Sequence, residues 1–354
     1  MKVNKVVVER FTGFEKVVLE LSPGLNVFIG ENGTGKTHLM KLLYALLKGV
    51  EGAKKSTKRN GEQELAIKLR EKLEAVFRPA DDKAGRLVRR GRGRDHATFE
   101  VHSTRGSLTG KLTNLGKLSL SDTTISVPES VLFLPSREVL SIYEGFVAAY
   151  QNRELAFDET YYDLCVALSA SPVRGPRERQ AKEILAPLKK AVPFRVIQRK
   201  GRFYIKRGGE GQFEAHLVAE GFRKLAAVIH LVNNGSLAKN SVIFWDEPEA
   251  NLNPKLVTHV ASLLLGLARA GVQVVIATHD YLLTSELSLA AEYGEERDLR
   301  FFSFSRKGRS TAVQVTSGAV LAELDHNPIF DEFAQHYERE RALFRGENGT
   351  QGQP

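Results

Sequence analysis

Short apolar runs that end in glycine, proline or polar residues recur along the chain and predict buried strands. The clearest lie at residues 25–29, 131–134, 242–245 and 272–277. Runs of this length without polar alternation are typical of strands that are covered on both faces. Residues 255–270, between the last two runs, predict a helix. The pattern therefore predicts an α/β fold with a mostly parallel sheet flanked by helices.

Shorter segments predict the elements around this sheet. Further strands are expected at residues 3–8, 15–21, 98–102, 107–112 and 117–120, and hairpins at residues 194–205 and 300–315. Helices are expected at residues 38–47, 62–77, 221–233 and 332–344, and over most of residues 139–188. Residues 98–120 thus predict a small antiparallel β subdomain, residues 139–188 a helical lobe, and the polar residues 346–354 a disordered tail.

The composition is that of a globular protein and leaves the partners open. The 354 residues carry 51 Lys and Arg against 42 Asp and Glu, a net charge of +9. A positive chain attracts polyanions such as nucleic acid, although a solvated basic face that binds nothing explains the same charge. No apolar run reaches the roughly 20 residues of a membrane helix, and no signal peptide precedes the first strand. The lone Cys165 predicts a buried thiol, and the cytoplasm is the expected compartment.

The loop after the run 25–29 has the full pattern of a phosphate-binding loop. Residues 30–37 read Gly-Glu-Asn-Gly-Thr-Gly-Lys-Thr, which fits G-x-x-x-x-G-K-[ST]. Its glycines let backbone N–H groups wrap phosphate oxygens at the start of a helix. The sequence therefore predicts an ATP and Mg²⁺ site in which Lys36 reaches the β- and γ-phosphates and Thr37 coordinates the metal. The predicted nucleotide contacts are Gly30, Asn32, Gly33, Thr34, Gly35, Lys36, Thr37 and His38.

Two carboxylates follow the run 242–245, at the edge where open α/β sheets bind their ligands. Asp246 is expected to hold Mg²⁺, directly or through water, and Glu247 to polarise the attacking water. The next predicted strand leads to His279, which can contact the γ-phosphate and couple its presence to motion. Strand-end acids and a capping histidine are the alternatives, which the preceding phosphate loop disfavours. The predicted catalytic residues are Lys36, Glu247 and His279, and the predicted metal ligands are Thr37 and Asp246.

Together these motifs resemble the ATP-binding-cassette (ABC) class of P-loop ATPases. Residues 246–248, Asp-Glu-Pro, look like a Walker B motif with its catalytic glutamate, His279 like the switch histidine, and residues 250–254 like the D-loop. Residues 8–14 and the run 246–254 are most similar to the SMC/RecF and OLD-type soluble ATPase heads, as in an AAA-family ATP-binding protein. The resemblance implies an ABC-type core, ATP hydrolysis, and a head-to-tail homodimer around two ATP molecules.

The chain departs from the family at the signature motif. Residues 218–225 stand where the family has L-S-G-G-Q before a helix, and only Gly221 matches well. The resemblance implies that Gly221 contacts the γ-phosphate of the opposite subunit. Ala219 cannot supply the usual serine hydroxyl, and Lys224 is a candidate substitute for that contact.

Two more positions near the expected site have open roles. The Q-loop glutamine is missing, and Ser136 or Glu138 is a candidate contact to metal-bound water in its place. Arg10 and Phe11 are candidate neighbours of the adenine or ribose, and a buried strand-end aromatic is an equally good interpretation of Phe11.

Three segments concentrate the positive charge. They are residues 54–59, residues 86–94 and the hairpin 195–207, in which Phe203 and Tyr204 stand between basic residues. Basic residues with interleaved aromatics suit nucleic-acid contact and base stacking. Solvated loops and a hairpin whose aromatics face the core explain the same sequence, so both interpretations stay open.

We expect a single ABC-type ATPase domain over residues 1–345. Its predicted parts are a P-loop half (1–50), a basic β insertion (51–130), a helical lobe with a hairpin (131–215), and a half with the signature, Walker B and switch motifs (216–345). The expected function is Mg²⁺-dependent ATP hydrolysis that drives dimerisation and is coupled to DNA or to a separate effector protein, in DNA maintenance or phage defence. The alternative is a low-turnover ATP-dependent sensor or scaffold that holds a partner protein. No membrane partner is expected.

Overall fold

The strands form three sheets within the residues that the computed structural model describes. These are residues 1–53, 61–91, 96–126, 128–186, 194–209, 211–294, 296–306 and 312–344. The basic segment 54–59 and the predicted tail 346–354 lie outside the described residues.

The central sheet has the strand order β14-β13-β3-β12-β11-β7. Neighbouring strands are parallel except for the antiparallel pair β13 and β14. The strands are β3 (Leu25–Gly30), β7 (Val131–Leu134), β11 (Val242–Asp246), β12 (Gln273–Thr278), β13 (Leu299–Arg306) and β14 (Val313–Gly318). The predicted buried strands and the closing hairpin are therefore confirmed, and the carboxyl ends of β3, β11 and β12 meet at one edge.

Helices and a second sheet cover both faces of the central sheet, which explains its uninterrupted apolar runs. In β3, Leu25, Val27 and Ile29 enter one core, and Phe28 enters the other. Helices α4 to α8 pack on the first side, and α1, α2 and the N-terminal sheet on the second. The helices are α1 (Lys36–Ala53), α2 (Gly61–Phe77), α3 (Phe146–Gln151), α4 (Glu159–Leu168), α5 (Pro176–Ile184), α6 (Glu220–Asn233), α7 (Pro254–Arg269), α8 (Tyr281–Tyr293) and α9 (Pro328–Phe344).

The N-terminal strands and the strands predicted between residues 98 and 120 form one antiparallel sheet, with the order β2-β1-β4-β5-β6. Its strands are β1 (Val3–Phe11), β2 (Phe14–Glu20), β4 (His96–Ser103), β5 (Gly106–Thr113) and β6 (Leu118–Thr123). Val6 and Val8 of β1 lie opposite Val101 and Phe99 of β4 and are buried with them. Because these apolar side chains share one face, the segments 1–50 and 51–130 meet in a common core.

A third, smaller sheet contains the predicted basic hairpin, β8 (Phe194–Arg199) and β9 (Arg202–Arg207), and adds β10 (Gly211–Glu214). The hydrophobic pattern did not predict β10, because this strand has a single large apolar residue, Phe213. It also missed α8, although Asp280 is a helix-capping residue whose side chain accepts a hydrogen bond from the Leu283 N–H at 2.6 Å. No described helix is long and apolar enough to cross a membrane.

Candidate functional site

The phosphate-loop segment joins β3 to α1, as its sequence predicts. Gly30 ends β3 with φ of 144°, and a Cβ at this position would lie 2.2 Å from the carbonyl oxygen of Phe304. This close approach follows from the parallel pairing of β13 with β3, in which Phe304 lies opposite Gly30. The tertiary structure therefore requires glycine where the strand turns into the loop.

Lys36 lies in the interior of this loop. Its Nζ donates hydrogen bonds to the carbonyl oxygens of Gly30 at 2.6 Å and Glu31 at 2.9 Å. The side chain is buried, and this burial lowers the pKa of Lys36 although the nearby carboxylates of Asp246 and Glu247 oppose the effect. A cation held by carbonyls at the centre of a loop of N–H donors is suited to an anionic ligand.

The first turn of α1 meets the end of β11. The Thr37 hydroxyl donates to the Asp246 carboxylate, with distances of 3.0 Å to Oδ1 and 3.1 Å to Oδ2. Burial raises the pKa of Asp246 to about 6; the Thr37 hydroxyl opposes this rise and the neighbouring Glu247 carboxylate adds to it. A carboxylate taken out of water without a full cationic partner is therefore poised to gain from a metal ion.

Glu247 and His279 face each other across the same edge of the sheet. His279 Nδ1 lies 3.5 Å from Glu247 Oε1, and the side chains are 49% and 35% exposed, so solvent reaches both. Glu247 is held in the left-handed backbone region, with φ of 48°, and its N–H donates to the carbonyl of Ala277 at 2.9 Å. Glu247 lines the same cleft as the residues of the phosphate loop.

These groups line one cleft of about 270 Å³. Its walls are formed by Gly13, Asn32, Gly33, Gly35, Lys36, Thr37, His38, Asp246, Glu247, Ala277, Thr278, His279 and Arg306. The structure thus brings together most of the predicted nucleotide, metal and catalytic residues. Thr34 is buried, and its hydroxyl donates to the carbonyl of Glu31 at 2.8 Å, which stabilises the loop from within.

Four residues that line the cleft were not among the predicted site residues: Ala277 and Thr278 at the end of β12, and Arg306 and Gly13. Arg306, at the end of β13, donates from Nη2 to the carbonyl of Gly33 at 2.7 Å. Gly13 lies in the turn between β1 and β2, and its carbonyl accepts a hydrogen bond from Arg89 Nη1 at 2.7 Å. A strand and a turn far from the loop in sequence carry Arg306 and Gly13, so only the Gly-Phe turn signal at Gly13 could have marked one of them.

The residues of the cleft fit Mg²⁺ bound together with a nucleotide. Thr37 and Asp246 carry the hard oxygen atoms that Mg²⁺ prefers as ligands, and Lys36 carries a point charge that suits phosphate. No group of three or more His, Cys, Asp or Glu side chains that could hold a metal by itself occurs in the described ranges. Such a sparse protein ligand set is typical of Mg²⁺ that also takes phosphate oxygens as ligands.

Family models match both halves of the chain. Residues 1–121 match the model described as "AAA ATPase domain", and residues 125–285 match "AAA domain, putative AbiEii toxin, Type IV TA system".

The fold resembles the Smc head bound to the C-winged helix domain of ScpA, with a TM-score of 0.58, 13% identity, and 91% and 99% of the two chains covered. It also resembles the Pyrococcus furiosus Smc head with an extended coiled coil bound to the C-terminal domain of ScpA, with a TM-score of 0.56, 11% identity, and 96% and 99% covered. The fold is therefore that of the Smc heads, a P-loop fold with an ABC-type core.

Curated proteins named RecF are similar to parts of the chain. It is 44% identical over 46 residues to the DNA replication and repair protein RecF of Staphylococcus carnosus, over 13% of this chain and 12% of that protein. The Listeria welshimeri RecF is 30% identical over 145 residues, with 41% and 34% covered. The Beutenbergia cavernae RecF is 26% identical over 243 residues, with 66% and 53% covered. The matches therefore span between about an eighth and about half of the length of these relatives.

The signature position of the ABC-type fold begins α6, and Gly221 there has a clear role within its own chain. A Cβ on Gly221 would lie 2.4 Å from Leu252 Cδ2 and 3.0 Å from the carbonyl oxygen of Asn251. The helix start thus packs directly on the loop that follows the Walker B strand. Ala219, the residue that caps α6, makes no side-chain capping bond. The contact of Gly221 with an opposite subunit stays a prediction.

Lys224, the candidate contact to another subunit, and Glu138, the candidate contact to metal-bound water, both have partners inside their own chain. Lys224 is 4% exposed, and its Nζ donates to the carbonyls of Ala250 at 3.0 Å and Glu247 at 3.4 Å, so it is not placed to reach another subunit. Glu138 is also buried, accepts a hydrogen bond from Ser141, and pairs with Arg223 Nε at 2.7 Å. It is not among the described residues that line the cleft. Both roles stay predictions, and the partners of these side chains within their own chain do not favour them.

The aromatic candidates divide between core and surface. Phe11 is 2% exposed and packs edge-on against Phe77 with ring centroids 5.5 Å apart, which supports the buried-aromatic interpretation. Phe203 is also buried, 4.7 Å from the Tyr143 ring, so it cannot stack on a base. Tyr204 points the opposite way along β9 and is partly exposed.

The basic segments differ in what the structure describes. In the run 86–94, Arg89 contacts Gly13, and Arg86 lies 3.5 Å from Asp81; Arg92 and Arg94 are outside the described residues. The hairpin keeps exposed basic residues on one face, where Arg195 lies opposite Lys206 and Arg199 opposite Arg202. This hairpin is the basic surface that the structure defines most fully.

Proposed function

We propose that the chain binds Mg²⁺–ATP in the cleft and hydrolyses it. The supporting observation is that Lys36, Thr37, Asp246, Glu247 and His279 line one cleft, with the Thr37 hydroxyl 3.0 Å from Asp246. A loop of N–H donors, a buried lysine and a hydroxyl–carboxylate pair are the parts that phosphoryl transfer from a nucleotide requires. The matches to ATPase family models support the same reaction class.

Each side chain has a task that its position allows. Lys36 would exchange its carbonyl partners for phosphate oxygens, and Thr37 and Asp246 would hold Mg²⁺. Bound Mg²⁺ supplies the charge that neutralises the phosphate oxygens. Glu247, at the solvent-exposed rim, accepts the proton of the attacking water at a carboxylate oxygen. His279, 3.5 Å from that carboxylate, orients it and contacts the γ-phosphate.

ATP binding would also join two copies of the chain head to tail, with Gly221 of one copy near the γ-phosphate held by the other. The cleft is open on one side, since Glu247 and His279 are partly exposed, and a second copy would cover these side chains. Closure by ATP and opening by hydrolysis would be a ligand-driven population shift.

The solution mass of the Glu247→Gln variant, measured by light scattering with and without Mg²⁺–ATP, tests this proposal. Removing the base should trap ATP without removing the groups that bind it. A monomer that becomes a dimer only with Mg²⁺–ATP is the expected result, and Lys36→Ala in the same background should stay monomeric. An unchanged mass with ATP bound would refute the shared site.

The alternative is a sensor or scaffold with little turnover, and one observation favours it. Ala219 replaces the signature serine, and Lys224, the candidate substitute, is bonded within its own chain. A weak contact across the dimer would slow hydrolysis while leaving binding intact. Tight Mg²⁺–ATP binding with turnover near zero, with and without DNA, would favour this function over the first.

The output of the ATP cycle is proposed to be DNA engagement or control of a partner protein, in DNA maintenance or phage defence. Relatives are named DNA replication and repair proteins, and the similar Smc heads are bound to a ScpA domain. The outer face of β8 and β9 carries Arg195, Arg199 and Lys206. A charge-reversed Arg195→Glu, Lys206→Glu variant should lose salt-sensitive DNA affinity if this face binds the backbone. Unchanged affinity would move the DNA contact elsewhere.

A further inference from the structure

The ammonium group of Lys224 lies inside the protein beneath the loop that carries Glu247. It donates to the carbonyl of Ala250 at 3.0 Å and, at a longer 3.4 Å, to that of Glu247. Burial lowers the pKa of Lys224, and the carboxylates of Glu220 and Glu249 oppose that change. Burying a cation is unfavourable unless its donors are used, so these carbonyls account for its position.

The backbone that Lys224 contacts has an uncommon conformation. Glu247 and Asn251 have φ of 48° and 64°, in the left-handed region that residues other than glycine seldom occupy. The Glu247 carbonyl also accepts the Ala250 N–H at 3.1 Å, and the Glu247 N–H is bonded to Ala277. Such conformations persist where the surrounding contacts over-determine them. Lys224 supplies one of these contacts from a different element, α6.

The loop 247–252 is also hydrogen-bonded to the end of β12, the strand that leads to His279. Glu249 is 7% exposed, and its Oε1 accepts a hydrogen bond from the Thr278 hydroxyl at 2.7 Å. On the other side, Gly221 packs against Leu252. The start of α6, the loop 247–252 and the residue before His279 therefore form one connected unit.

We propose that Lys224 is a positioning residue that fixes the backbone of Glu247 from α6 through the carbonyls of Glu247 and Ala250. This inference rests on the proposed function of Glu247 as the base. Lys224 acts within its own subunit and does not touch the nucleotide. If the start of α6 moved, Lys224 would shift the backbone of Glu247 with it and so displace the Glu247 carboxylate.

The test replaces the ammonium and keeps the length of the side chain, in Lys224→Met. We expect kcat to fall about 10- to 100-fold, since a catalytic group displaced by an ångström loses that order of rate, while the Kd for Mg²⁺–ATP is unchanged. Amide exchange followed by mass spectrometry should be about tenfold faster over residues 247–252 and unchanged in α1, because the loss is local. In the Glu247→Gln background the same substitution should change residual turnover no further.

Lys2→Met is the matched control. Lys2 Nζ donates to the carbonyl of Gly271 at 2.7 Å, near the opposite end of β12, so its loss should leave kcat and exchange over 247–252 unchanged. If Lys224→Met does not fold, Lys224→Gln, which keeps a donor, replaces it and should give a smaller loss.

Two results would overturn the inference. One is an amide exchange rate over residues 247–252 that Lys224→Met leaves unchanged. The other is a fold loss of turnover from Lys224→Met that is as large in the Glu247→Gln background as in the wild type. A wild-type chain that binds ATP without hydrolysing it would refute the proposed reaction, and the exchange measurement would still decide the role of Lys224.

Discussion

Asp246→Asn should make the nucleotide-free protein more stable at neutral pH while removing a proposed metal ligand. The folded chain raises the pKa of Asp246 from 3.8 to about 6, chiefly through burial. Below pH 3.8 the carboxyl is neutral in both the folded and unfolded states and has no effect on their balance. Between pH 3.8 and 6 the unfolded chain ionises first, so the free energy of unfolding decreases as pH rises through this window.

The magnitude follows from the same two values. A pKa difference of about 2 corresponds to roughly 3 kcal/mol, because one pKa unit is worth about 1.36 kcal/mol. An asparagine has no charge to bury and can still accept the Thr37 hydrogen bond. The variant should therefore be more stable than wild type by roughly 3 kcal/mol above pH 7, and nearly equal to it near pH 4.

Urea unfolding at pH 4.5, 6 and 7.5 in the presence of EDTA measures this difference. Trp245 is the only tryptophan of the chain, is 1% exposed and precedes Asp246, so its fluorescence reports unfolding. Asp122→Asn is the control, because hydrogen bonds from Ser107 and Thr124 lower the pKa of this half-buried carboxyl and the pH trend should be opposite. A stability difference that does not grow with pH would refute the reasoning.

Three further outcomes are expected. Lys36→Ala should keep its circular dichroism spectrum and lose ATP affinity by about 10- to 100-fold or more, because bonds to charged groups contribute about 1.5–3 kcal/mol each. Thr278→Val should destabilise the protein by about 1–3 kcal/mol, since it removes the hydroxyl that donates a hydrogen bond to the buried Glu249 carboxylate. Cys165 should react with a thiol reagent only after denaturation, because burial raises its pKa to about 12.

For each of these three predictions, one experimental result would contradict it. Retained ATP affinity in Lys36→Ala would remove the phosphate loop from the site. An unchanged free energy of unfolding in Thr278→Val would show that the Glu249 carboxylate is solvated or neutral without the bond. Rapid modification of Cys165 in the native protein would show that the core around α4 opens.

Features of the fold and the site that depend only on residues adjacent in the chain could be predicted from the sequence. The phosphate loop at residues 30–37 is a contiguous run whose backbone is set by its own glycines, and strand β3 and helix α1 flank it as predicted. The same holds for the acids at the end of β11, because a strand fixes which residue stands at its end. The central strands were predictable because burial on both faces leaves a continuous apolar run.

The tertiary structure decided what distant residues do for one another. Lys224 is far from Ala250 in sequence, and nothing in the residues around it indicates a buried cation. Arg306 reaches Gly33 only because β13 pairs in parallel with β3. Phe203 turned out to face the core because the register of β9 against β8 sets which side chains point inward. The sequence by itself determined the local chemistry of the site, and packing between elements determined which side chains face the cleft, because that depends on contacts between residues far apart in the chain.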